Sequence, residues 1–290
     1  MNITATCYGT AALHLALEGA LGVFFDPYLD RPPEARPRIS ADARTMDMHP
    51  LNAILVSHGH YDHILNLPHL LKRHPSAHAY VPAPVVQTCR RLCQGEIFRA
   101  YSCALSEGDW SRMHTLGGGD GCELSAADGR VRIRAEATRS SHVKYDAWSV
   151  LRVLLNPRVI RRIGYYAKVQ FAFPHRGVLA WALQMEAGGQ SRQVVFLGTL
   201  PREGPQGLSR YRGCDCLFLP LAGRRDVLPL ASAVTSALQP GMVVPIHHDN
   251  FMPPISYTVD IRSYREWLAA EFPKTRFLEL TPEEPVALFG

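Results

Sequence analysis

Apolar residues along the chain fall into short runs of two kinds. In the first third they alternate with polar positions, as in "NITATCY" and "ALHLALEG", or form brief apolar blocks, as in "GVFFDPYLD" and "LNAILVSHGH". Alternation presents one strand face to a core, and a short apolar block reads as a strand buried on both faces. Four strands are predicted here, the third ending at Asp26-Pro27 and the fourth running into a histidine cluster. "LPHLLKRHP" and "APVVQTCRRLC" carry helical spacing, with "AHAYVPA" as a strand between them. "RPPEARPRISADARTMD" has no period and is rich in Pro and Arg, so it is expected to be a loop.

Farther along, "CELSAADGRVRIRAEATRSSH" predicts a hairpin turning at Asp128-Gly129, and "HRGVLAWALQMEAGGQSRQVVFLGTL" a second turning at Gly188-Gly189. "CDCLFLPLAG" and "GMVVPIHHDNF" read as strands. "DVLPLASAVTSALQP", stopped by Pro240, and "YTVDIRSYREWLAAEFP" read as helices, and the chain is expected to close with a strand pair. The strands thus form two clusters, each followed by helices, with no repeat and no low-complexity linker. That pattern predicts an α/β protein in which two sheets pack together with helices outside, as a single domain over residues 1–290.

Composition narrows this picture only slightly. With 290 residues, 47% hydrophobic and 20% charged, the chain can bury a sizeable core. A formal net charge of +5 is too mild to indicate nucleic acid, and no such partner is expected. The first 25 residues lack a basic start, and their apolar residues are broken by Glu18 and several glycines, so no signal peptide is expected. No run approaches the ~20 apolar residues of a membrane span. The seven cysteines are odd in number and show no zinc-ribbon spacing; they are expected to be reduced, mostly buried thiols of a cytoplasmic protein.

The candidate chemistry lies in "ILVSHGHYDHILNLP", where His58, His60, Asp62 and His63 fall within six residues behind an apolar strand. His58 and His60 leave the strand on one face, and Asp62 and His63 come from the turn into the next helix. Imidazole and carboxylate together suit Zn, Fe or Mn, with Zn the commonest. A structural zinc site would normally use Cys, so a cluster without Cys points to an open, catalytic site.

The run His58-Gly59-His60-Tyr61-Asp62-His63 resembles the H-x-H-x-D-H motif of the metallo-β-lactamase-fold hydrolases, including the strand before it and the helix after it. The resemblance implies a four-layer αββα sandwich with one or two zinc ions at one edge between the sheets (Mn or Fe being alternatives). It also implies a metal-bound hydroxide as nucleophile. Asp26 matches an Asp that orients the ligand loop in this family, although a plain turn residue before Pro27 would look the same. His142 in "EATRSSHVKYD" is the best match to the next ligand, with His114 as competitor in a Gly-rich loop with no strand before it. His247 in "VVPIHHDNF" matches the last ligand and resembles the P-x-H-x-x-x-F ending of the lactonase-like and phospholipase D-like branches. His248 would point the other way from that strand, in a supporting or substrate-contacting, catalytic role. By this resemblance the first metal site is His58, His60 and His142, and the second is Asp62, His63 and His247, with Asp62 also accepting from the nucleophilic water.

One position departs from the family. Active members usually place a metal-bridging Asp after a Gly at the end of a middle strand, whereas "VVFLGTL" has Gly198 followed by Thr199. Either both metals still bind, held by a bridging hydroxide, or the second is weak and exchangeable; if the alignment is displaced, Asp215 or Asp146 is the alternative carboxylate. The segment 147–175 is amphipathic and basic, with Arg158, Arg161 and Arg162 as candidate substrate-binding residues. It would serve as a lid for an apolar substrate with an anionic group or as a transient membrane contact; a helix covering its own core with a solvated basic face reads the same. The expected function is metal-dependent hydrolysis of an ester, lactone or phosphodiester bond in a small, anionic or lipid-like molecule. The alternative is a binding or scaffold protein on the same fold, with Thr199 as its cause.

Overall fold

The computed structural model describes residues 1–173, 176–224 and 226–289. The chain first lays down β1 (Ile3–Cys7), β2 (Leu13–Leu17), β3 (Leu21–Phe25), β4 (Ala53–Leu55), β5 (His78–Pro82) and β6 (Met113–Leu116). It then builds β7 (Gly121–Ser125), β8 (Val131–Arg139), β9 (Leu179–Ala187), β10 (Gln190–Leu197), β11 (Cys216–Pro220), β12 (Met242–Ile246) and β13 (Arg276–Phe277). The last strand, β14 (Val286–Ala287), returns to the first group. One sheet has the order β14-β1-β2-β3-β4-β5-β6 and the other β13-β12-β11-β10-β9-β8-β7. In each the early pairs are antiparallel and the later ones parallel, except that the last strand, β14, joins β1 antiparallel.

Side-chain alternation assigns these strands to layers. Leu13, Leu15 and Leu17 of β2 and Phe25 of β3 point inward to meet Trp181, Leu183 and Phe196 of the facing sheet in one buried core. The Phe25 and Phe196 rings stack with centroids 4.1 Å apart. The opposite face of the first sheet, including Phe24 and Ile54, packs on α1 (Tyr61–Ile64), α2 (Leu67–Arg73) and α3 (Ala83–Cys93), beyond which lies the short α4 (Glu107–Ser111). Between β8 and β9 the chain forms α5 (Ala147–Leu154), α6 (Pro157–Ile160) and α7 (Ile163–Ala172). The outer face of the second sheet packs on α8 (Leu228–Leu238) and α9 (Arg262–Glu271). Helix, sheet, sheet and helix therefore stack around three apolar cores, as the αββα expectation requires. Five cysteines are buried and two half-buried. Among the described residues no helix is long and apolar enough to cross a membrane.

Two expectations fail. The closing strands do not pair with each other: β13 extends the second sheet beside β12, and β14 caps the first beside β1. His114 does not lie in a loop but in β6, an edge strand on β5, where its Nε2 sits 2.8 Å from His78 Nδ1.

Candidate metal centre

The parallel strands β3 and β4 end side by side, and the chain leaving β4 turns at once into α1. That turn carries His58 and His60, and the first turn of α1 carries Asp62 and His63. The second sheet pins it: Trp181 Nε1 donates to Val56 O at 3.1 Å, and Leu179 N–H donates to Ser57 O at 2.8 Å. His142 arrives from the chain beyond β8, and His247 from the end of β12. The result is two adjacent groups, His58 with His60 and His142, and Asp62 with His63 and His247. Within each group the possible ligand atoms lie within 4.8 Å of one another.

The spacing fits cations rather than hydrogen bonds. His58 Nε2 and His60 Nδ1 are 3.2 Å apart, and Asp62 Oδ2 is 3.3 Å from His247 Nε2 and 3.6 Å from His63 Nε2. Two donors each ~2.0–2.1 Å from one tetrahedral ion stand ~3.3 Å apart. Protonation fits as well. Burial, with His63, His60 and His142 beside it, holds His58 well below the usual imidazole range, in the neutral form that ligates. Burial alone would raise the Asp62 carboxyl, but His63 and His247 carry it below the ordinary carboxylate range, so it is ionised. Burial likewise opposes charge on His63, yet Asp26 and Asp62 hold its pKa above the ordinary value.

Asp26 lies beneath both groups, fully buried. Its carboxylate accepts from Ser57 N–H at 2.7 Å, Ser57 Oγ–H at 2.6 Å and His63 Nδ1–H at 2.7 Å. Ser57 Oγ is in turn 2.9 Å from His58 Nδ1. One carboxylate thus sets the ring orientation of a histidine in each group, directly for His63 and through Ser57 for His58. Gly198 closes the arrangement, since a Cβ there would come within 1.9 Å of Ser57 Oγ and 2.7 Å of Asp26 Oδ2. His142 orients itself by a 2.8 Å bond from Nδ1 to Val143 O, which leaves the lone pair on Nε2.

Asp26 and His247 both adopt left-handed backbone, at φ 47° and 57°. At His247 this reverses the side-chain alternation of β12, and its N–H reaches across to Thr10 O at 2.7 Å. His248 is consequently turned away from the cavity above the two groups, and burial lowers its imidazole pKa. The residue that returns to that cavity is Asp249. Its Oδ2 accepts from Thr10 N–H at 2.9 Å and from the buried Arg31 guanidinium at 2.5 Å, while its Oδ1 is buried without a hydrogen-bond partner. The sequence reading passed over Ser57, Arg31 and Asp249; Ser57 and Asp249 directly adjoin residues it singled out. Asp215 and Asp146 do not stand in for a bridging carboxylate. Asp215 binds Arg192 and Gln193 N–H, and Asp146 caps α5.

The cavity has a volume of about 500 Å³. Asp62, His63, His60, His142 and His247 line it, and Thr199 faces it beside them. Thr199 Oγ1 accepts from Val143 N–H at 3.2 Å. The helices α5, α6 and α7 roof the cavity with an apolar surface that includes Val150, Val153, Val159 and Ile163. Ser149 Oγ, 3.1 Å from Tyr257 OH, and Arg152, 4.5 Å above the Tyr257 ring, fasten this cap to the body. Arg158, Arg161 and Arg162 are exposed and do not line the cavity. Around the α6–α7 junction Val159 and Ile163 line the cavity, and the three arginines expected to bind substrate lie outside that lining. Residues 174 and 175 of the expected segment lie outside the described residues.

A family model described as a β-lactamase superfamily domain matches residues 22–249, a span that includes every residue of the two groups. The chain belongs to that superfamily. Among solved structures this metallo-β-lactamase-fold chain is similar to CmlA, a diiron β-hydroxylase from Streptomyces venezuelae, with a TM-score of 0.53 and 13% identity over 98% of this chain and 53% of that one. It therefore spans about half the length of that enzyme. It is also similar to an isothiocyanate hydrolase from Delia radicum gut bacteria, with a TM-score of 0.51 and 13% identity over 99% of both chains. At such identity these likenesses establish the fold. No curated protein matches the sequence significantly.

Proposed function

We propose that the protein is a zinc-dependent hydrolase that cleaves an ester, lactone or phosphodiester bond in a small substrate with an apolar body. The observation that carries this reading is the placement of two adjacent three-donor groups, five of whose six residues line one largely apolar cavity. Five imidazoles and one carboxylate suit zinc better than the carboxylate-rich sets that hard cations prefer. Divalent cations held there would supply Lewis acidity and bring the pKa of a bound water near ~7.

The chain's own residues do the rest. Asp62 accepts a hydrogen bond from the attacking water and aims it toward the cavity. Asp26 and Ser57 hold His63 and His58 in one orientation, so the donors need not reorganise when charge develops. Val150, Val153 and Ile163 line the cavity and receive the apolar part of the substrate. Asp249, held by Thr10 N–H and Arg31, forms part of the cavity wall. The free, mostly buried cysteines support a cytoplasmic location.

A second reading rests on Thr199. Without a bridging carboxylate the protein would bind a ligand over its metals and turn it over poorly. The test that separates the two is hydrolysis of p-nitrophenyl esters, bis-p-nitrophenyl phosphate and simple lactones by zinc-loaded protein. Turnover that vanishes in Asp62→Asn supports the enzyme. No turnover across the panel, with zinc confirmed in the protein, favours the binding protein.

A further inference from the structure

Among the described residues, all ten large apolar side chains that stand exposed lie between Tyr145 and Phe171, a stretch of 27 in a chain of 290. They include Leu151, Leu154, Leu155, Ile160 and Ile163, each more than half exposed, and Phe171 at 86%. Monomeric soluble proteins rarely gather exposed apolar surface in one place, and such patches mark interaction sites. The charge is gathered in the same place. Of the chain's 31 basic and 26 acidic side chains, six and one fall in 144–173, so the remainder balances at 25 of each. The whole formal charge of +5 therefore belongs to the cap. Asp146, its only acidic residue, is spent on capping α5 through a 2.8 Å bond from Ser149 N–H.

We propose that this cap docks the protein on an anionic lipid bilayer. Short amphipathic helices with large apolar side chains interleaved with Arg and Lys lie in the headgroup region, apolar groups in the acyl boundary and basic groups at the phosphates. A second copy of the chain is a poor occupant, because a symmetric contact through the cap would set its five exposed basic residues against five. The mouth of the metal-site cavity opens on the same surface: Val150, Leu154 and Ile163 line the cavity and are also exposed. A molecule leaving the bilayer would thus reach the cavity without crossing water. Docking does not depend on the hydrolase reading, since it concerns the outer face of the cap alone.

The test is co-sedimentation of the full, zinc-loaded chain with vesicles of phosphatidylcholine, with or without phosphatidylglycerol. The expected result is partitioning onto the phosphatidylglycerol vesicles that weakens as salt is raised. Arg158→Ala combined with Arg161→Ala and Arg162→Ala should lower the partition coefficient by at least about tenfold. Leu155→Asp combined with Phe171→Asp should abolish binding at low salt too. All five positions are exposed, and circular dichroism with zinc content checks that each variant is folded. Wild-type protein that stays in the supernatant with phosphatidylglycerol vesicles overturns the proposal, as does binding that neither variant weakens. A dimer by light scattering that the Leu155/Phe171 variant splits, without vesicle binding, would instead make the cap an interface between copies.

Discussion

Replacing Asp26 by Asn changes one buried atom and reaches both metal groups. The carboxylate accepts three hydrogen bonds on two oxygens, and water cannot compensate at a fully buried position. Asn keeps a single acceptor oxygen. Placed toward Ser57 Oγ and His63, it sets its NH2 against Ser57 N–H; placed the other way, it confronts His63 Nδ1–H. Either arrangement leaves at least one buried donor unsatisfied, which costs about 1–3 kcal/mol of folding stability. His63 also loses the charge that fixes its proton on Nδ1, and loss of such an outer partner lowers metal affinity by about 10–100-fold, or ~1.4–2.7 kcal/mol.

Ser57→Ala supplies the internal control. It leaves the Asp26–His63 bond intact and removes only the hydroxyl between Asp26 and His58. Asp26→Asn should therefore weaken both sites, and Ser57→Ala mainly the His58, His60, His142 site. Zinc titration of metal-depleted protein against a chromogenic chelator resolves two affinities, and urea melts report stability separately. Asp26→Asn protein that is folded and keeps both wild-type affinities would falsify the claim that this carboxylate orients the ligands.

Thr199→Asp should tighten the weaker zinc site by adding an anion beside two cations, and should destabilise metal-free protein because that anion then faces ionised Asp62; unchanged titration curves would mean position 199 does not reach the metals. In wild type, kcat/KM should rise with pH through an apparent pKa near ~7, and Asp62→Asn should remove most of that rate; an unaltered profile in the variant would exclude Asp62 from the chemistry. Gly198→Ala drives a Cβ into Ser57 and Asp26 and should lower zinc affinity without touching a ligand; wild-type affinity there would show that the pair moves freely. His14, bonded to Pro50 O at 2.8 Å, is pushed down to about 4 by burial, while the unfolded chain protonates near 6.5. The unfolded state thus holds more protons between those values, and stability should fall as pH drops through them, by at most about 3 kcal/mol. His14→Gln should flatten that slope in urea melts, and equal slopes would locate the acid sensitivity elsewhere.

The layers were legible because alternation in β2 and β3 follows the same two-residue period in sequence and in space. The metal groups were legible because four of their six members fall within six residues. Elements without a period were not. β13 and β14 are two residues each, and nothing in so short a run says which sheet it joins. β6 is a four-residue edge strand with no fully buried position, so His114 seemed to sit in a loop. Arg31 and Asp249 meet across 218 positions of sequence, and only the finished fold shows that a Pro-rich loop supplies a buried cation to the cavity wall.

The errors closest to the chemistry share one cause. Period arguments hold inside an element and fail at its ends, and binding residues concentrate at ends. His247 was chosen by its resemblance to a family ending, and the two-residue period was not carried on to Asp249, which lines the same cavity as His247. The helical pattern of 147–175 predicted helices, which α5, α6 and α7 supply, but it did not say which side of the α6–α7 junction turns inward. The inward side is apolar, and the arginines share the outer surface with Leu155, Ile160 and Phe171. Basicity over this segment is therefore a property of what the cap meets outside. The chemistry of the substrate has to be sought in the residues that line the cavity, Val150, Val153 and Ile163 among them.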